Sequence, residues 1–149
     1  MTDAAYAHMF QLAEKLAIGL RNVIAKHAMP WCVTQVGARV EFQFSATQPI
    51  NGTEAGNIFD GELERMMHLY LLNRGILITP FHNMMLVCPT TTVENISQLL
   101  HTFDQCVEDL TALIYKTDNK QILTIICGDK IRTSLEIRLL NRVSLFASA

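Results

Sequence analysis

Histidine and cysteine are the side chains best suited to proton transfer, nucleophilic attack and metal binding near neutral pH. This chain has five histidines and four cysteines. Their spacing offers little. Cys32, Cys88, Cys106 and Cys127 contain no CxxC pair, and His8, His27 and His101 share no ligand spacing with them or with one another. Structural zinc sites show paired short spacings, so no metal is expected. His82 and Cys88 could pair as base and nucleophile, but a lone cysteine ending an apolar run (Met84-Met85-Leu86-Val87-Cys88) reads as core. His68, beside Glu64 and Arg65, reads as a residue on a solvated helix face. Arg39 and Glu41 alternate onto one strand face, where an exposed ion pair contributes under about 1 kcal/mol. The pairs Met66-Met67 and Met84-Met85 read as core filling rather than as an adaptable binding surface. No catalytic, cofactor-binding or metal-binding residue is assigned on these grounds.

The elements that must position these residues follow from hydrophobic period. Met9, Leu12, Ala13, Leu16, Leu20, Val23 and Ile24 recur at helical spacing and predict an amphipathic helix over residues 4–27. Pro30 stops it, because proline lacks the amide a helix needs. Residues 31–36 read as a strand and Gly37 breaks it. Val40, Phe42 and Phe44 then alternate with Arg39, Glu41 and Gln43, which predicts a second strand with one buried and one wet face, and a hairpin between the two. Residues 45–59, with Pro49 and Asn51-Gly52, read as a surface loop. Asp60 is placed as the N-cap of a second helix carrying Leu63, Met66, Met67, Tyr70 and Leu71, and Gly75 as its left-handed C-terminal glycine. Short strands are expected at 76–78 and 84–88, with a loop between them. Thr91 and Glu94 have the spacing of a capping box ahead of a third helix through Val93, Ile96, Leu99, Leu100, Phe103, Val107 and Leu110. The order predicts an α+β fold, with helices packed on one face of a mainly antiparallel sheet, over residues 1–114. The tail, residues 115–149, lacks a clean period. A strand at 121–127 and a strand or helix at 134–146 are the readings there.

Half of the chain is apolar and 17% is charged, with a net charge of -2. That composition folds, and it excludes a disordered tail. Acidic and basic residues are interspersed without a basic block, so neither nucleic acid nor an anionic membrane is expected as a partner. Apolar runs are too short to cross a bilayer. No basic segment followed by an apolar run opens the chain, so no secretory signal is expected. The unpaired cysteines then read as reduced thiols of a cytoplasmic protein. The sequons at Asn51 and Asn95 read as chance matches.

The succession Cys32-Val33-Thr34-Gln35-Val36-Gly37 with residues 39–44 resembles the small domain of class III aminotransferases. So do Leu71-Leu72-Asn73-Arg74-Gly75-Ile76-Leu77-Ile78-Thr79-Pro80-Phe81, residues 84–89 and Thr92-Val93-Glu94-Asn95-Ile96. The branch it resembles holds glutamate-1-semialdehyde aminomutase and related transaminases, and the agreement runs over residues 2–110. These are packing and turn signatures; their agreement in series carries the resemblance.

The resemblance implies a fold-type I enzyme, normally a dimer, that moves an amino group between an amino acid and a keto acid. Pyridoxal phosphate (PLP) does the hard chemistry as an electron sink. In that family the Schiff-base lysine, the acidic partner of the pyridine nitrogen and the phosphate cradle belong to a large domain, and no residue here aligns with them. PLP is therefore expected in the family but not on this chain alone. By the same resemblance, Thr79, Pro80, Phe81, His82 and Asn83 form the loop on the substrate side. That loop has no arginine to hold a carboxylate, as some relatives do. The expected reading is a detached or truncated small domain, silent by itself, that self-associates or lacks its large domain. The rival is a repurposed α+β module for binding or self-association, in which Ile122, Ile125 and Ile126 complete the core.

Overall fold

The computed structural model describes residues 1–116. Helix α1 (Asp3–Lys26) leads to strands β1 (Cys32–Val36) and β2 (Arg39–Gln43). A short helix α2 (Gly52–Asn57), helix α3 (Gly61–Leu72), strand β3 (Met84–Leu86) and helix α4 (Val93–Lys116) follow. The three strands form one antiparallel sheet with β2 in the centre, so Val33 faces Phe42 and Val40 faces Met85. Helices α1 and α4 lie together on the face carrying these residues, which gives the expected α+β layer. No helix among the described residues is long and apolar enough to cross a membrane.

The core is where the helical stripes meet the alternating strands. Met9, Leu12, Leu16, Leu20 and Ile24 of α1 and Ile96, Phe103, Val107 and Leu110 of α4 bury against Val33, Val40, Phe42 and Met85. Phe42 and Phe103 rings lie 4.9 Å apart, and Trp31 packs edge-on to Phe44 at 5.1 Å. Geometry of this kind adds to area burial. The helices approach closely at Gly19, where a Cβ would sit 2.3 Å from a methyl of Leu100. A second tie is ionic: Asp104 of α4 receives Lys26 Nζ at 2.7 Å and His27 Nε2 at 2.7 Å from the end of α1.

The helix ends explain where the chain turns. Thr2 caps α1 by accepting from Ala5 N–H at 3.3 Å, and Asp3 and Lys26 suit the two ends of the helix dipole. At the far end Met29 N–H reaches Ile24 C=O and Ala28 N–H reaches Ala25 C=O, a Schellman closure. α3 closes in the same way, with Ile76 N–H to Leu71 C=O and Gly75 N–H to Leu72 C=O. The left-handed residue there is Gly75, as expected from sequence, whereas α1 uses Ala28 at φ 53°.

Four expectations are corrected. Residues 45–59 are not all loop, because Asn51 and Glu54 cap each other and start α2: Glu54 N–H donates to Asn51 Oδ1 at 2.9 Å and Ile50 N–H to Glu54 Oε2 at 3.0 Å. Residues 76–78 form no strand; Thr79 N–H donates to Met84 C=O, though Ile76 and Ile78 are buried on either side of exposed Leu77. The cap of α4 is Thr92 with Asn95 rather than Thr91 with Glu94. Thr91 is taken by Cys88, whose N–H donates to its hydroxyl at 3.0 Å. Glu41 does not face water but is buried at 8% exposure, because segments beyond the hairpin cover its side of β2. The strand and helix readings at 121–127 and 134–146, and the tail from 117 onward, lie outside the described residues.

Two outcomes follow. Ala28→Gly relieves a left-handed alanine that costs about 1–2 kcal/mol, less the extra freedom glycine brings to the unfolded chain. A net gain of up to about 1 kcal/mol is expected in urea unfolding. The hydrogen bonds from Lys26 and then His27 hold the Asp104 carboxyl below its usual range. A depressed carboxyl stabilises the fold above its unfolded pKa and loses that contribution as pH falls through the folded value. Asp104→Asn is therefore expected to lower stability at neutral pH and to flatten the acid limb of stability against pH.

Candidate functional site

The concave feature with convergent polar groups is a cleft of about 340 Å³ on the side of β2 away from α1 and α4. It is assembled from four places in the chain. β2 contributes Glu41 and Gln43, and Phe44 follows them; α2 and the residues after it contribute Ala55, Ile58 and Phe59; α3 contributes Glu64; and the loop before β3 contributes His82 and Asn83.

Each polar group arrives by a traceable route. Glu41 alternates out of the core because Val40 and Phe42, both fully buried, point into it. Its carboxylate accepts Arg39 Nη2 at 2.9 Å and Gln43 Nε2 at 3.0 Å, both from its own strand face. Glu64 belongs to the buried stripe of α3 with Leu63, Met67 and Leu71, after the Asp60 cap whose Oδ1 accepts from Glu62 and Leu63 N–H. It is buried at 8% exposure, and that burial raises its carboxyl above the usual glutamate range against the pull of the His82 backbone N–H, which it accepts. The loop is drawn tight by Thr79: its N–H bonds Met84 C=O at 3.0 Å, and its hydroxyl lies 2.7 Å from Phe81 C=O and 2.9 Å from Met84 C=O. The chain then reverses through two successive left-handed residues, His82 at φ 61° and Asn83 at φ 46°. Such backbone costs about 1–3 kcal/mol per residue and gathers where the surroundings over-determine it, often at functional sites. Asparagine tolerates it best, and Asn83 is the buried member, at 3% exposure.

The five loop residues singled out from sequence thus divide. His82 and Asn83 line the cleft, Thr79 ties the loop, and Pro80 and Phe81 lie exposed, with the Phe81 ring edge-on to His82 at 5.5 Å. Glu41, Gln43 and Glu64 were not assigned as site residues. For Glu64 a signal existed: it stands three residues before Met67 and seven before Leu71, on the apolar stripe. For Glu41 none did, because strict alternation on a hairpin reads as a wet face.

The other candidates end elsewhere. Cys88 is exposed, not core, since the strand ends at Leu86. Its sulfur bonds the Thr90 hydroxyl at 3.2 Å and the Thr91 hydroxyl at 3.3 Å rather than His82, and these bonds lower its thiol to about 7. Cys106 is buried, which pushes its thiol up to about 12, and burial also raises Cys32. His68 is half-buried on α3: its Nδ1 is buried and has no hydrogen-bond partner among the described residues. No group of three or more His, Cys, Asp and Glu suited to a metal occurs among the described residues.

The cleft does not suit PLP. No lysine or arginine lines it, so there is no Schiff-base amine, and its carboxylates repel a phosphate. Among the lysines with described side chains, Lys15 is exposed on α1 and Lys26 is held by Asp104.

The thiols give a measurable ordering. In the folded protein at pH 7, iodoacetamide is expected to modify Cys88 well before Cys32 and Cys106, since the thiolate is the reacting form. Peptide mass spectrometry checks the order, and Thr90→Val with Thr91→Val is expected to slow Cys88.

No family model matches the chain. Among curated proteins it is 27% identical over 113 residues to a glutamate-1-semialdehyde 2,1-aminomutase of Staphylococcus carnosus, covering 74% of this chain and 26% of that one. It is 27% identical over 106 residues to one of Macrococcus caseolyticus, covering 70% and 24%. Among solved structures, a glutamate-1-semialdehyde aminomutase of Pseudomonas aeruginosa PAO1 superposes with a TM-score of 0.72 at 47% identity, covering 74% of this chain and 24% of that one. A form of that enzyme in complex with PMP matches equally. An omega-transaminase of Sphaerobacter thermophilus, at 20% identity and a TM-score of 0.59, shares the fold. The chain spans about a quarter of the length of these relatives. Over about three quarters of its own length it is a homologue of the glutamate-1-semialdehyde aminomutases and carries a segment of the class III PLP-dependent aminotransferase fold.

Proposed function

We propose that this chain is the small-domain part of a cytoplasmic, dimeric aminotransferase-type protein that moves an amino group between an amino acid and a keto acid, and that it is silent by itself. The observation that carries the reading is the coverage: likeness runs through about three quarters of this chain but about a quarter of its relatives. In this reading PLP is held by a separate large domain, where the cofactor supplies an electron sink. This chain's part is to close the substrate side, with His82 and Asn83 presented by the strained loop that Thr79 holds shut. Free Cys32, Cys88 and Cys106 support the reducing compartment.

Uncovered apolar surface supports a missing partner. On the sheet face away from α1 and α4, Val36 and Leu86 flank Arg39 across the strands and stand 76% and 64% exposed. Leu77, on the segment beside β3, is 78% exposed. A run of this kind marks an interaction surface.

The test is chemical. The purified chain is incubated with PLP, reduced with borohydride, and its lysines are mapped by mass spectrometry. Weak labelling spread over Lys15, Lys26, Lys116, Lys120 and Lys130 is expected. Stoichiometric labelling of one lysine, abolished by an amino-acid substrate, would mean that the chain holds the cofactor itself, and the silent-segment reading would be wrong.

A further inference from the structure

The cleft contains hydrogen-bonding capacity that the protein leaves unused. Asn83 is buried at 3% exposure and lines the cleft, and its side-chain amide, which makes no hydrogen bond among the described residues, opens to the cleft rather than being sealed in the core. An amide whose polar atoms reach the cleft has its donors and its acceptor available to a ligand there. Glu64, also lining the cleft and buried at 8% exposure, has the His82 backbone N–H and the His82 ring near it but no side-chain hydrogen-bond donor. Buried carboxylates are normally paired with a cation, and the exposed His82 ring is the only group lining the cleft that can carry positive charge. Glu41 is different. Its two oxygens are taken by Arg39 and Gln43, so its charge is answered within the chain. What remains open is one carboxylate and one amide beside a wall of Phe44, Ile58 and Phe59.

That arrangement selects a ligand by chemistry. An anion is repelled by Glu64 and meets no lysine or arginine in the cleft. A metal ion lacks a set of three ligands among the described residues. A neutral polar group leaves the carboxylate unanswered. Between the two common organic cations, ammonium is strongly hydrated and resists an apolar wall. Guanidinium is weakly hydrated, planar, stays charged, and presents parallel N–H groups to a carboxylate while its face rests on an aromatic ring.

We infer that this cleft binds the guanidinium group of a small organic cation, with Glu64 and the Asn83 amide oxygen accepting its N–H groups and Phe44 and Phe59 flanking its plane. The two left-handed residues fit this role, since they place the His82 N–H against Glu64 and the Asn83 amide in the cleft. The site is built by this chain alone. It goes beyond the aminotransferase reading and stands or falls whether or not a PLP-bearing domain joins it.

The experiment titrates the full 149-residue chain with n-butylguanidinium, n-butylammonium and the neutral isostere n-butylurea. Calorimetry gives affinity, and the Asn83 side-chain amide resonances report location. Saturable one-to-one binding of n-butylguanidinium is expected, with the ammonium about tenfold weaker or worse and the urea without saturation. Glu64→Gln is expected to weaken binding by about tenfold or more, because a charge-assisted pair is lost. Asn83→Gly keeps the left-handed backbone while removing the amide, and is expected to weaken binding several-fold. Thermal melts establish that each variant folds, and if Glu64→Gln does not, Asn83→Gly and the three-ligand comparison decide. Absence of saturable guanidinium binding, equal binding of the urea or the ammonium, or unchanged affinity in a folded variant would overturn the inference.

Discussion

The contact of Phe42 with Phe103 sets the geometry on which the rest depends. Both rings are fully buried and 4.9 Å apart, one from the central strand and one from the last helix. Fixing Phe42 inward fixes the pleat of β2, and with period two the neighbours Glu41 and Gln43 must emerge on the opposite face. A slip of one residue would bring a carboxylate into the aromatic cluster, where no cation would balance its charge. The apolar register of the core therefore places the polar floor of the cleft, although no core residue except Phe42 and its neighbour Phe44 touches it.

The cleft in turn is held by features that work against stability. Two left-handed non-glycine residues and a buried carboxylate without a side-chain donor raise the free energy of the folded state. A chain selected only to fold would have glycine at one of the turn positions and an apolar residue in place of Glu64, completing the stripe of Leu63, Met67 and Leu71. The surrounding structure sustains the cost through Thr79, which closes the loop, and through the Asp60 cap that starts α3. Concentration of local cost in one concave place is the usual mark of a site rather than of a packing defect.

Much of the fold was legible because its signals are local and repeat. The α1 and α4 stripes, the β1–β2 hairpin, the Asp60 cap and the Gly75 closure each follow from residue type at known spacing, and the resemblance to aminotransferase small domains rested on the same turns. The misreadings have physical causes. Asn51 and Glu54 form a box around a helix too short to show a period, so turn residues hid it. Thr91 and Thr92 both have a partner at box spacing, and only the competing claim of Cys88 on Thr91 decides which one caps α4. Ala28 carries no sign of its positive φ, since the Schellman closure imposes it against the residue's preference. The loop was found, but its depth was not: a sequence gives His82 and Asn83 equal standing, while the fold exposes one and buries the other.

The same ion pair that removes Glu41 from the cleft's unanswered charge also shapes the outer sheet face. Arg39 sits between Val36 and Leu86 in the cross-strand register, and a free guanidinium there would keep that row wet. Bound to Glu41 at 2.9 Å, its side chain stays about half exposed and lies between the exposed aliphatics Val36 and Leu86, with Leu77 nearby. A sheet with one face on helices commonly exposes polar residues on the other. Exposed aliphatics in place of them support a partner of further polypeptide, which agrees with a chain that matches about a quarter of each relative's length. One residue pair thus separates two surfaces: a polar cleft open to a small cation on one side, and an apolar face fit for packing on the other.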